Sequence, residues 1–302
     1  MNQTRAIGID IGGSRLRAAL VDTSGTILDR RETATLAQAG PEAVIAQVVD
    51  LVAQIAPAAE RSSLSGAGVA CPGPLDTTRG LALGIPTLAG WSNLPIASML
   101  EAAIGLPVRL ENDGIAAAIG EWKFGAGRGM QHLAYITVST GIGGGVVLDG
   151  KPLHGRMGMT GHVGHMTVQR DGALCSCGNR GCWEAYASGT AFARRIGQSS
   201  GAMASGTPKS VFAAASDGDG DALALVAEEA DWLGIGIANL LHLYSPECVI
   251  IGGGISNGFA LLEPGIRARI LANAMPAFRN VPVVVAGLGE NAGLVGAAAI
   301  LL

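Results

Sequence analysis

The chain reads as an α/β protein of two lobes. Strand-like and helix-like segments alternate through both halves. A plan of strand, glycine-rich turn and strand at residues 6–22 returns at 133–150. A length of 302 residues fits two domains of roughly 150 residues each. The recurrence is one of architecture, not a short solenoid repeat. It predicts a smaller N-terminal α/β lobe over 1–118, with 291–302 packing back on it, and a larger lobe over 119–290. A cleft between lobes is then the default ligand site.

Each element follows from local pattern. Two apolar runs, 6–12 and 16–21, flank Gly12-Gly13 and read as a hairpin, with Thr26–Arg30 as a third strand. Gly40-Pro41 opens a helix whose Val44, Ile45, Val48, Val49, Val52 and Ile55 form an apolar stripe. A buried strand, Leu64–Ala70, stops at Pro72-Gly73-Pro74. Residues 75–95 carry glycine, proline and Trp91 and read as a loop or lid. Ile96–Ile104 is helical, Val108–Leu110 is a short strand that runs into Glu111-Asn112-Asp113, and Gly114–Trp122 is helical again. The second half begins with the strand LAYITVST, a glycine turn over 141–145 and the strand VVLDG. Residues 197–209 read as a surface loop. Asp221–Leu243 is a helix, Cys248–Ile251 a buried strand before Gly252-Gly253-Gly254, and Asn291–Leu302 a last helix of small residues.

Composition removes several classes of function. The net charge is −4 and only 15% of residues are charged, so there is no basic footprint for nucleic acid or for an anionic membrane. No apolar stretch reaches the length of a secretory leader or a membrane span. The five cysteines are odd in number, and three fall between Cys175 and Cys182. That pattern argues for a metal site and a reducing cytoplasm rather than for disulfides. Glycine, at 46 residues, is about twice its ordinary usage, and it clusters where backbone must come close to something.

Those clusters carry the chemistry. Asp10-Ile11-Gly12-Gly13-Ser14 places bare backbone N–H groups where phosphate oxygens could approach, with the Asp10 carboxylate placed to hold Mg²⁺. The competing reading is an ordinary hairpin turn, since neither a P-loop nor a dinucleotide fingerprint is present. Ser139-Thr140-Gly141-Ile142-Gly143-Gly144-Gly145 is its counterpart in the second half, and two such turns can close on one nucleotide. Gly253 and Gly254 are either a third backbone surface, under an adenosine, or a plain strand-to-helix turn. His165, Cys175, Cys177 and Cys182 make a His-Cys₃ set that would bind zinc in a closed tetrahedron with no position for a catalytic water; incidental buried thiols are the alternative. Asp113 is either a helix N-cap or a general base for an attacking hydroxyl. Glu184, directly after the cysteine loop, is either a solvated first-turn carboxylate or an acceptor for two neighbouring hydroxyls. His132, His154 and His242 show no constellation.

Together DIGGS (10–14), ENDGIAAAIGEW (111–122), STGIGGGVV (139–147), GHVGHM (161–166) and CSCGNRGCWEAYASG (175–189) resemble the ROK family of bacterial sugar kinases, repressors and open reading frames. The resemblance implies an actin-like ATPase fold of two ribonuclease-H-like lobes. It implies ATP in the cleft with Mg²⁺, structural Zn²⁺, and transfer of the γ-phosphate to the 6-hydroxyl of a hexose. It makes Asp113 the catalytic base. Asn112, Glu184, His162, His165 and Gly73 become sugar contacts, with His165 also a zinc ligand. Asp10, Gly12, Gly13, Ser14, Thr140, Gly141, Gly143, Gly253 and Gly254 become nucleotide contacts. A homodimer or homotetramer is implied as well. The family's usual Glu-x-Gly-His is here His162-Val163-Gly164-His165. An imidazole donates one hydrogen bond and accepts one, which suits a sugar with an acetamido carbonyl, and a similar GHxGH is found in bacterial N-acetylmannosamine kinases. The stretch PTLAGWSNLPI (86–96) is instead similar to the family's glucokinases. The expectation is an ATP:hexose 6-phosphotransferase, with N-acetylmannosamine ahead of glucose. A sugar-responsive repressor is the other class, disfavoured because only nine residues precede Asp10.

Overall fold

The computed structural model describes residues 4–302. Its strands are β1 (Arg5–Ile11), β2 (Arg15–Asp22), β3 (Ile27–Ala34), β4 (Leu64–Cys71), β5 (Leu75–Asp76), β6 (Leu81–Ala82), β7 (Val108–Asn112), β8 (Leu133–Val138), β9 (Ile142–Leu148), β10 (Lys151–Pro152), β11 (Cys248–Gly252) and β12 (Val283–Val285). Its α-helices are α1 (Pro41–Ile55), α2 (Ile96–Ile104), α3 (Asp113–Phe124), α4 (Glu184–Ala187), α5 (Gly189–Gln198), α6 (Pro208–Ser216), α7 (Gly220–Tyr244), α8 (Phe259–Asn273) and α9 (Ala292–Ala299). The two large sheets run β3-β2-β1-β4-β7 and β10-β9-β8-β11-β12. The second repeats the first position for position, which is the duplication anticipated from the two glycine turns. In each sheet the inner strand runs parallel to the strands that follow it, β1 to β4 and β4 to β7, then β8 to β11 and β11 to β12.

The chain divides into two compact units. One takes residues up to Met130, Gly145–Gly161 and Ala286–Leu302; the other takes Gln131–Gly144 and His162–Val285. The first unit therefore includes 119–130 and 145–161 along with the last helix. A boundary at residue 118 would cut α3, and α3 cannot be divided there. A side chain on its Gly120 would strike the Ala292 carbonyl, and one on Gly296 of α9 would strike the Ala116 carbonyl. The two helices touch backbone to backbone, and both sequences are rich in alanine and glycine for that reason.

The first sheet is covered on both faces. Ile7, Ile9, Ile11, Val69 and Leu110 meet Val44, Val48, Leu100 and Trp91 on one face. Ala6, Ala19 and Val21 meet Leu294, Val295 and Ala298 of α9 on the other. Full coverage is what a sheet with a parallel core requires.

Two further expectations are corrected. The glycine run 143–145 is not turn but strand, since β9 begins at Ile142. A Cβ on Gly145 would lie 2.7 Å from the Ala118 Cβ and 2.8 Å from the Ile115 Cα, so this glycine lets α3 lie against the strand. The surface loop at 197–209 takes in the end of α5, a 3₁₀ turn at Gly201–Ser205 and the start of α6. Helix α8 went unread because Pro264 and Gly265 interrupt its pattern, yet it continues through Pro264. All five cysteines are free. Among the described residues no helix is long and apolar enough to cross a membrane.

Candidate active site

In the first unit the candidate residues collect at the C-terminal ends of three adjacent parallel strands, where open α/β sheets bind ligands. Asp10 is the penultimate residue of β1 and pairs with Ala70, and Cys71 of β4 pairs with Asn112 of β7. The cap of α3 falls to the neighbour of Asp113. The Asn112 Oδ1 accepts from the N–H groups of Gly114 (3.0 Å) and Ile115 (3.4 Å), so Asn112 is the N-cap of α3. Asp113 is the first helical residue, and its Oδ1 accepts from the Gly114 N–H at 2.8 Å. Burial, and then the Asp10 carboxylate, push the Asp113 carboxyl up to about 6. A partly buried carboxyl poised near neutrality and relieved of capping is suited to accept a proton. The Asn112 amide donates toward the Asp113 carboxyl, opposing the effect of burial there, and has its second N–H left to offer a ligand.

Asp10 differs from expectation. Its Oδ2 is ion-paired with Arg17, which also donates to the Glu290 carbonyl at 2.6 Å. A cation at that oxygen would have to displace the guanidinium. Gly12 is also committed, its N–H donating to the Arg15 carbonyl at 2.9 Å and its carbonyl accepting from the Thr35 hydroxyl at 2.7 Å. The amides of Gly13 and Ser14 are then the ones in this turn that a phosphate could meet. Gly73 lies in the bend that follows β4, and its peptide to Pro74 is cis. A cavity of about 580 Å³ opens beside Gly13 and is lined by residues 35–39.

A residue without an assigned role enters this part of the site. The His154 Nε2 stands 2.7 Å from the Glu111 Oε2, one residue before the cap.

In the second unit the turn between β8 and β9 is clamped from below. The Ser139 carbonyl accepts from the Gly189 N–H at 2.7 Å, and the Thr140 carbonyl accepts from the Thr190 hydroxyl at 2.8 Å. The Glu184 Oε2 accepts from the Ile142 N–H at 2.9 Å. A Cβ on Gly141 would sit 2.3 Å from that oxygen, so only glycine admits the carboxylate. The Glu184 Oε1 accepts from the Ser176 hydroxyl at 3.2 Å. The Cys175 thiol approaches the same Oε1 at 3.8 Å. Glu184 thus joins the cysteine loop to the glycine turn, and Oε2 keeps one lone pair for a further donor. Gly143 falls within β9 rather than in the turn. Gly253 and Gly254 follow β11, and Gly254 opens a 3₁₀ turn.

His165, Cys175, Cys177 and Cys182 converge, with one ligand atom from each lying within 4.8 Å of all the others. The Cys177 and Cys182 sulfurs are 3.7 Å apart, and so are the Cys175 sulfur and the His165 Nδ1. Sulfurs about 2.3 Å from a zinc ion at tetrahedral corners stand about 3.8 Å apart, and the two 3.7 Å separations match that spacing. The loop is held by backbone bonds from Trp183 N–H to the Met166 carbonyl (2.8 Å) and from Val168 N–H to the Gly181 carbonyl (2.8 Å). His162 is exposed next to it, its ring 6.2 Å from that of His165.

The ROK family model matches residues 6–302. A glucokinase of Thermotoga maritima is 36% identical over 314 residues, with 100% of this chain and 98% of the relative covered. An N-acetylmannosamine kinase of Escherichia coli is 37% identical over 295 residues, covering 97% and 96%. A solved ROK family glucokinase from Streptomyces griseus, in complex with glucose and AMPPNP, superposes with a TM-score of 0.84 at 35% identity and 98% coverage of each chain.

Proposed function

The chain belongs to the ROK family, and from that premise we propose that it is an ATP- and Mg²⁺-dependent sugar kinase acting on the 6-hydroxyl of a hexose or N-acetylhexosamine, with N-acetylmannosamine preferred to glucose. The observation that carries the reading is the division of labour at the head of α3. Asn112 caps the helix, which leaves the Asp113 carboxyl, poised at about 6, for the substrate hydroxyl. Asp113 takes that proton as the oxygen attacks the γ-phosphorus, and the displaced ADP leaves in line. The Asn112 amide, Glu184 and His162 hold ring substituents. Gly13, Ser14, Thr140 and Gly141 line the phosphates, with Gly253 and Gly254 toward the nucleoside.

Zinc at the His-Cys₃ set would supply a fixed crosslink and no open coordination position. Binding through Nδ1 leaves His165 with its proton on Nε2, a donor for a sugar oxygen.

An ADP-release assay across glucose, mannose, fructose, allose, glucosamine and both N-acetylhexosamines tests the reading. The expected result is Mg²⁺-dependent ADP formation with kcat/KM highest for N-acetylmannosamine. No sugar stimulating release above the water background would overturn it. The choice of sugar rests on His162, where a carboxylate would accept two hydroxyl donors but repel an acetamido carbonyl. His162→Glu is therefore expected to raise the glucose to N-acetylmannosamine ratio of kcat/KM by about tenfold; an unchanged ratio removes His162 as the selector.

A further inference from the structure

We propose that His154 is a positioning residue for the transfer reaction, acting through Glu111 to fix the backbone that presents Asn112 and Asp113. The proposal rests on the assignment of Asp113 as base.

Three consecutive polar side chains leave the end of β7 and each does something different. Asn112 caps α3 and Asp113 stands at its first residue. Glu111 turns into the protein, where it is 3% exposed. Its Oε1 accepts from the Asn112 N–H at 2.9 Å and its Oε2 is 2.7 Å from the His154 Nε2. A carboxylate this deep is costly unless its oxygens are bonded. Here one bond goes to the peptide N–H that begins the catalytic turn, and the other goes to an imidazole 43 residues away.

The imidazole is itself held on both nitrogens, by Glu111 and by the Pro152 carbonyl. Both partners are acceptors, so the protonated ring, which donates from both nitrogens, satisfies both at once. The Glu111 bond, and more weakly the Glu111 charge, raise His154 above the ordinary histidine value against the opposing effect of burial. The segment that carries His154 is pinned on either side of it. The Leu153 N–H donates to the Val146 carbonyl at 2.8 Å, the Thr160 hydroxyl donates to the Leu153 carbonyl, and the Thr77 N–H donates to the Met157 carbonyl at 2.9 Å. The pair is therefore a strut. It runs from an anchored loop through two side chains to the peptide plane between Glu111 and Asn112, and that plane sets the direction in which the next residue leaves. Displacement of a base by about 1 Å costs on the order of 100-fold in rate, so loss of the strut reaches turnover without touching substrate.

The test compares His154→Ala, His154→Gln, Glu111→Gln and Asp113→Asn. His154→Ala is expected to lower kcat about tenfold or more with KM for ATP within about twofold. His154→Gln, which restores an N–H to Glu111, is expected to recover most of that loss. Wild-type kcat in His154→Ala, or no recovery in His154→Gln, overturns the proposal. Asp113→Asn separates the two claims: if it is inactive while His154→Ala is unimpaired, the strut fails and the base stands, whereas wild-type turnover in Asp113→Asn ends both. The pair has a readout independent of activity. Among the five histidines, the His154 ring is expected to titrate above the ordinary value by NMR in the wild type and to fall back in Glu111→Gln. An unmoved titration also overturns the proposal.

Discussion

Asp113→Asn is expected to lower kcat by at least about 100-fold, the lower end of general-base effects, while making the folded protein more stable above pH 6. Both effects come from one cause. Burial and the neighbouring Asp10 raise the carboxyl to about 6, so its ionised form is disfavoured in the folded state. The sign is opposite to that of an ion-paired aspartate. The destabilisation is absent below the unfolded value near 4 and fully present above about 6. At about 1.4 kcal/mol per pKa unit, discounted for partial exposure, it amounts to roughly 2 kcal/mol. Thermal melts at pH 8 and pH 4 check this, with the variant more stable at pH 8 and the gap closing at pH 4. In the wild type kcat/KM for the sugar is expected to fall with unit slope as pH drops through about 6, because protonation removes the base. A variant that loses stability at pH 8 while keeping turnover contradicts both assignments.

Cys182→Ser, or chelation of zinc held by the proposed His-Cys₃ site, is expected to give the second large effect. Cys182 is fully buried, and the next residue, Trp183, is fully buried as well. The Trp183 Nε1–H donates to the Trp232 carbonyl at 2.8 Å, and its ring occupies the space a Cβ on Gly236 would need. Glu184 follows at once. Release of the cysteine loop therefore frees Ser176 from one Glu184 oxygen and disturbs the helix that aims the carboxylate at Ile142. The expected result is about one zinc per chain, a fall in kcat/KM for the sugar of at least about tenfold, and a melting temperature lower by about 10 °C after chelation. A zinc-free enzyme of full activity and unchanged melting temperature rules this out.

Much of this was legible in the residues, for physical reasons that differ from place to place. The hairpins, the apolar stripe of α1 and the buried strand β4 follow from local periodicity, and the metal set from four ligands within eighteen residues. The run Gly143–Gly145 was misread because a glycine needed for a turn and one needed for close packing look the same in sequence; only the position of Ala118 and Ile115 distinguishes them. Asp10 opposite Arg17 could not be read from the glycines alone, since a two-residue turn at Gly12-Gly13 would pair Asp10 with Arg15, whereas the turn spans residues 12–15 and brings Arg17 into register. The Glu111–His154 pair could not be read either, because nothing local connects residues so far apart. The neighbouring cap was the reverse case. Asn and Asp are both good caps, and only the geometry assigns the task to Asn112 and so releases Asp113.

The most direct measurement is a crystal structure with an ATP analogue and the preferred hexose bound. The account predicts a carboxylate oxygen of Asp113 about 2.6–3.2 Å from the sugar's 6-hydroxyl oxygen. A carboxylate turned to solvent, with no sugar oxygen in reach, would contradict it.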